Sequence, residues 1–169
     1  MFHKTNRIVI CFVIPFFVKI GCSPSTDIEK TAHDEQFLEI HLQYSFVDEL
    51  NTFEGTFTKD LVTDGSITVE FWLSKEDQES IKDLAEQVSF FSLPNNIPAM
   101  DGVAIRPDPS PVRLRIRCDN MDNTLVWSYP GDPENTDFKN VIELSRHIMS
   151  IVRNTEIYKR LPEASGRRL

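Results

Sequence analysis

Between Asn51 and Phe91 the chain carries its best-specified local code: a strand, a tight turn, a second strand and a capped helix in succession. Asp64-Gly65 supplies residues suited to the positive φ that a hairpin turn demands. From Ile67 to Leu73 the pattern alternates. Ile67, Val69, Phe71 and Leu73 point one way and Thr68, Glu70 and Trp72 the other, as in a half-buried strand. Ser74, with Asp77 three residues on, predicts a helix N-terminus; Ile81, Leu84, Ala85, Val88 and Phe91 then recur at helical spacing. Pro94 and Asn95-Asn96 end it. Neither hairpin nor helix can bury its apolar face alone, so the helix must lie on the hairpin.

The rest of the chain follows the same grammar. Phe37–Val47 predicts a first strand, with Leu38, Ile40, Leu42, Tyr44 and Phe46 alternating against Glu39, His41, Gln43 and Ser45. Phe53–Val62 is the second strand and Ile67–Leu73 the third. Residues 94–111 hold five of the ten prolines and no periodicity, which marks a long loop. Val112, Leu114, Ile116 and Cys118 share one face of a fourth strand, and Arg113, Arg115 and Arg117 share the other. Asp119–Asn123 reads as the turn, Thr124–Tyr129 as the return strand. After Pro130-Gly131-Asp132-Pro133 a second helix carries the stripe Phe138, Val141, Ile142, Ser145, Ile148, Met149 and Val152. The order β-β-β-α-β-β-α predicts an α+β two-layer sandwich, a mainly antiparallel sheet of five strands with both helices on one face.

The N-terminus speaks to place. A short basic start (Lys4, Arg7) precedes the apolar run Ile8–Val18, well under the roughly 17–25 residues a membrane-spanning helix needs. It fits the core of a signal peptide, ending in Gly21-Cys22. That ending resembles the lipobox of bacterial lipoproteins, with Lys19 standing where the pattern has an apolar residue. The resemblance implies cleavage after residue 21 and lipid on Cys22. An ordinary secretory or uncleaved signal is the alternative. The expected organisation is thus a signal peptide (1–21), a polar tether (22–35) and one folded domain (36–169). Its place would be the bacterial cell envelope, on the exported side of the membrane. Of three cysteines, Cys11 lies in the signal; a lipidated Cys22 leaves Cys118 alone as a small core residue, and a free Cys22 leaves a Cys22–Cys118 bridge open.

Without its signal the chain has 15 basic and 26 acidic residues, a net charge of −11, which argues against nucleic acid as a partner. Asn51-Thr52-Phe53-Glu54-Gly55-Thr56-Phe57-Thr58-Lys59-Asp60, the helix start Leu73-Ser74-Lys75-Glu76-Asp77, and the ending from Tyr158 through Leu161-Pro162 to Gly166 carry a resemblance. They resemble a family of uncharacterised small bacterial exported proteins, often lipoproteins, with N-T-F-x-G-T-[FY]-T-K-D early and Y-x-x-L-P late. The resemblance implies export and one compact domain, and brings no activity with it.

Local chemistry is sparse. Lys59-Asp60 with Asp64 suggests an acid–base set, but neighbours on a strand face opposite sides, and strand-end charges framing a hairpin account for them. Asp119–Asn123 resembles a calcium loop in outline, yet Met121 stands where an oxygen ligand is needed, so a plain turn is expected. His33-Asp34-Glu35 lacks further ligands at metal spacing. No G-x-S-x-G, G-x-G-x-x-G or P-loop pattern occurs, and no cofactor or metal is expected. The rival to a binding role is an envelope hydrolase whose acid/His site (Asp60, Asp64, His41) is assembled in space. The feature richest in function is the sheet face that the helices leave open, with Trp72, Arg113, Arg115, Arg117 and His41 as a surface for an envelope protein or acidic partner. The plainer alternative is a solvated face on which Glu39 and Glu70 neutralise the arginines across strands.

If Cys22 bears lipid, Cys22→Ser moves the full-length protein from the detergent phase to the aqueous phase on phase separation. Unchanged partition of that variant would remove the anchor.

Overall fold

The computed structural model describes residues 36–44, 48–100, 111–128 and 130–166. The expected signal peptide, Cys22, the expected tether and His33 lie outside them, as does most of the proline-rich loop. In chain order the elements are β1 (Leu38–Tyr44), β2 (Asp48–Asn51), β3 (Thr56–Asp60), β4 (Ser66–Glu70) and α1 (Lys75–Gln87). A 3-10 turn (Phe90–Ser92), β5 (Asn96–Ile97), β6 (Val112–Cys118), β7 (Met121–Trp127), α2 (Thr136–Asn154) and α3 (Glu156–Lys159) follow.

The strands form one sheet of seven, ordered β4-β3-β2-β1-β6-β7-β5 and antiparallel except for the β5–β7 pair. The α+β class is as the alternation predicted; the count of five strands is corrected to seven. Two short strands make the difference. The segment Asp48-Glu49-Leu50-Asn51 has one apolar residue and so no readable alternation, yet it pairs with β1 and β3 on either side. Asn96–Ile97 is two residues long and pairs with β7 at the edge. The predicted strand starting at Phe53 begins instead at Thr56, because Thr52 to Gly55 form the turn out of β2.

Paired residues in an antiparallel ladder share a face. Leu38, Ile40 and Leu42 therefore join Cys118, Ile116 and Leu114 in one row, which Leu50, Phe57, Leu125 and Trp127 extend on either side. All are buried. Against them lie Ile81, Ala85 and Val88 around α1, and Val141, Leu144, Ile148, Met149 and Val152 of α2. Cys118 is a free, fully buried thiol in this core, and burial pushes its pKa up.

Polar groups close the joints between elements. Ser74 caps α1 by accepting from Asp77 N, and Asn135 caps α2 by accepting from Phe138 N. Gln78, buried on α1, accepts from the backbone N–H of Phe37 (3.0 Å) and Leu38 (3.1 Å), tying the helix to the start of β1. Asn123 donates to the carbonyls of Phe90 (2.8 Å) and Leu93 (3.2 Å) and so fixes the turn after α1. The segment from Tyr158 to Gly166 also meets β3. Tyr158 packs on Phe57 with ring centroids 5.7 Å apart, Lys59 Nζ sits 4.6 Å from the Tyr158 ring, and Leu161 is buried. The chain end then reaches the β3–β4 turn, where Ser165 N donates to Leu61 O (3.1 Å) and Thr63 N to Ser165 O (3.3 Å).

Gly55 is the tightest point of the β2–β3 turn. Its φ is +66°, and a Cβ there would lie 2.2 Å from the Trp72 ring. Gly55→Ala must therefore force a left-handed alanine and displace Trp72, costing about 2–3 kcal/mol in chemical denaturation, with about 1 kcal/mol recovered when Trp72→Ala is also present. A loss under about 0.5 kcal/mol would mean the turn relaxes freely.

Candidate functional site

The face of the sheet opposite the helices is set by the same ladder. Across β1 and β6, Gln43 lies opposite Arg113, His41 opposite Arg115 and Glu39 opposite Arg117. Across β6 and β7, Val126, Thr124 and Asp122 stand opposite the same three arginines. The three guanidinium groups form the predicted row, about 7 Å apart along the strand.

The members of that row have different fates. Arg115 donates two bonds to Asp122, Nε to Oδ1 at 3.0 Å and Nη2 to Oδ2 at 2.6 Å, a bidentate pair reached diagonally across the strands. Arg117 pairs with Glu39. Phe53 lies over both, its ring centre 4.8 Å from each guanidinium carbon. The turn holds Phe53 there: Thr52 N donates to Ile40 O (2.8 Å), and Ile40 N donates to Thr52 Oγ1 (2.7 Å). His41 Nε2 sits 2.6 Å from Glu49 Oε1. Arg113, exposed, makes no ion pair among the described residues.

The hydrogen bond from Arg115 holds the Asp122 carboxyl below the usual carboxylate range, aided by the charges of Arg115 and Arg117. The same bond raises the Arg115 pKa.

The predicted site is thus brought together only in part. His41, Arg113, Arg115 and Arg117 share the centre of the face. Trp72 follows the end of β4 at the sheet edge, half-buried against Gly55, with its indole N–H donated to Glu70 at 2.8 Å. Glu70 therefore serves Trp72 and not the arginines; the expectation that Glu70 would oppose them is corrected. Two members were missed. Asp122 was assigned to a turn running to Asn123, but the turn is Asp119-Asn120, closed by the Cys118–Met121 pair, and Asp122 is on the strand. Phe53 was placed inside a strand, and only the folded turn lays it over the arginines.

The acid and histidine residues considered for catalysis lie apart. Asp60 Oδ1 accepts from Val62 N (3.0 Å), while Asp48 Oδ1 accepts from Asp60 N (3.0 Å). Asp64 is bonded to Ser165 at the chain end. His147 Nε2 is 2.9 Å from Ser80 Oγ, linking the two long helices, and no acid bonds its other ring nitrogen among the described residues. No group of His, Cys, Asp and Glu among the described residues could hold a metal ion. No described helix is long and apolar enough to cross a membrane. A mainly apolar depression of about 520 Å³, lined by Pro133, Phe138, Ile142 and neighbours, belongs to α2 on the other side of the sheet.

No protein-family model matches the chain, and no curated protein or solved structure matches it.

Asp122 gives a pH test. Its folded pKa is depressed, so its contribution to stability is full above the unfolded value of about 3.9 and is lost as pH falls below that, through the folded pKa. The pair is exposed, which limits the contribution to about 0.2–1 kcal/mol. In a carboxyl NMR titration the Asp122 midpoint falls below about 3.9 and rises toward it in Arg115→Gln. A wild-type midpoint at or above that value would break the pair.

Proposed function

We propose that the chain is an envelope lipoprotein, held to the membrane by lipid on Cys22, whose domain binds an anionic partner on the open sheet face. The carrying observation is Arg113, an exposed cation without an ion pair among the described residues, at the end of a guanidinium row whose other members are fixed by Asp122, Glu39 and Phe53. Arg115 and Arg117 are answered by Asp122 and Glu39, so among the described residues the row offers one unanswered positive charge, Arg113, beside a fixed polar strip on an otherwise acidic protein. Gln43 and Val126 flank Arg113 across the strands and supply a donor and an apolar shoulder. A carboxylate-bearing segment of another envelope protein, or an acidic polymer, matches that chemistry. Trp72 lies at the sheet edge and serves the turn, so it is a secondary contact in this reading.

The envelope hydrolase remains the rival reading. It would need His41, Asp60 and Asp64 to converge, and each is engaged elsewhere.

Titration with poly-glutamate tests the site directly. Binding is expected to weaken with salt and to fall about two- to fivefold in Arg113→Ala, the effect of one exposed ion pair. Trp72→Ala should leave it nearly unchanged. Equal binding by wild type and Arg113→Ala, both folded by circular dichroism, would remove this face as the site.

A further inference from the structure

The edge of the sheet at β4 carries a second surface, independent of the arginine row. Leu61 N donates to Gly65 O and Phe71 N to Gly55 O, each at 2.8 Å, at the two ends of the β3–β4 ladder. Hydrogen-bonded pairs alternate along such a ladder. Ile67 and Val69 therefore turn their backbone groups toward β3, and Ser66, Thr68 and Glu70 turn theirs outward. Among the described residues no other segment pairs with β4.

Proteins protect such an edge with lysine, proline, a bulge or a covering element. Here the strand Ser66-Ile67-Thr68-Val69-Glu70 has neither lysine nor proline, and its register with β3 is unbroken from end to end. On the helix side Ile67 and Val69 are only half-buried, at the rim of the core.

The strand is also self-complementary. A two-fold axis through Thr68, with strands antiparallel, sets Thr68 against Thr68 of a second copy. It sets Ile67 against Val69 and Ser66 against Glu70. Apolar residues then meet on the helix side, a polar set meets on the open side, and no like charges stand opposite one another. The residues brought into hydrogen-bonded register are the three whose backbone groups face outward. We propose that β4 pairs with β4 of a second copy of this chain, joining two seven-stranded sheets into one through an isologous contact. The arginine row, centred on β6, is four strands away and stays open in such a dimer.

The test uses the full-length chain with a thiol on the axis. Residues in a hydrogen-bonded antiparallel pair have Cα atoms about 5.5 Å apart, within disulfide reach. Thr68→Cys, oxidised in the expressing cells and after purification in non-ionic detergent, should form a dimer at least about tenfold faster than wild type or Asp83→Cys, a thiol placed on exposed α1. Equal rates would mean random collision, and no dimer would mean no contact. An adduct of another mass would mean a foreign strand takes the edge. Each of these overturns the proposal. Sedimentation of unmodified protein is the second arm. Wild type should self-associate with concentration, and Thr68→Pro, which removes an outward N–H and the side-chain bond to Thr58 Oγ1 but no backbone bond to β3, should not. A wild type that remains monomeric at about 1 mM also overturns it.

Discussion

The antiparallel pairing of β1 with β6 is the joint on which the molecule depends. It runs over six residue pairs, Leu38–Cys118 to Gln43–Arg113, and joins residues 70 to 80 positions apart. On one side of it β2, β3 and β4 form a local meander; on the other β6 and β7 form a hairpin edged by β5. The two halves share one apolar row, because Leu38, Ile40 and Leu42 of β1 lie opposite Cys118, Ile116 and Leu114 of β6, all buried. Gln78 reinforces the joint from above by holding the first two amides of β1 to α1. The cost of leaving those amides unpaired in the core is about 1–3 kcal/mol each.

One register decides both faces at once. With Ile40 opposite Ile116, the apolar row closes under the helices, and Glu39 must meet Arg117 on the other side. Like charges about 7 Å apart along β6 are tolerable because carboxylates on both neighbouring strands answer two of them, Glu39 from β1 and Asp122 from β7. A slip of one residue would bury the arginines. The open face thus owes its order to the core that it backs, and the pairing leaves Arg113 as the cation without an answering carboxylate among the described residues.

The chain end does mechanical work at the far side of the sheet. Phe57 of β3 packs on Tyr158 as well as on Phe71, Leu161 is buried, and the Ser165 backbone extends the pairing at Leu61 and Thr63. Lys59 spends its stem in the Tyr158 contact with its ammonium over that ring, while Asp60 faces the opposite way to close a turn. An acid–base partnership between the two is sterically unavailable, as strand alternation alone required.

Sequence alone determined what depends on periodicity and local caps: the α+β class, the helices after Ser74 and before Asn154, the burial of Cys118 and the alternation that separates Arg113, Arg115 and Arg117 from the core. Each of these is a property of neighbours in the chain, written at period 2 or 3.6. The tertiary structure decided what depends on which strand lies beside which. It recruited β2 and β5, too short or too polar to show alternation, because their backbones complete ladders begun elsewhere. It chose Asp122 over Glu70 as the answer to Arg115, since a two-residue turn puts Asp122 on the adjacent strand while β4 lies at the remote edge. It also folded Phe53 out of an apparent strand and over the arginines. Adjacency in a sheet is fixed by the joint closing of all its ladders over one core, and no single segment of the chain encodes it.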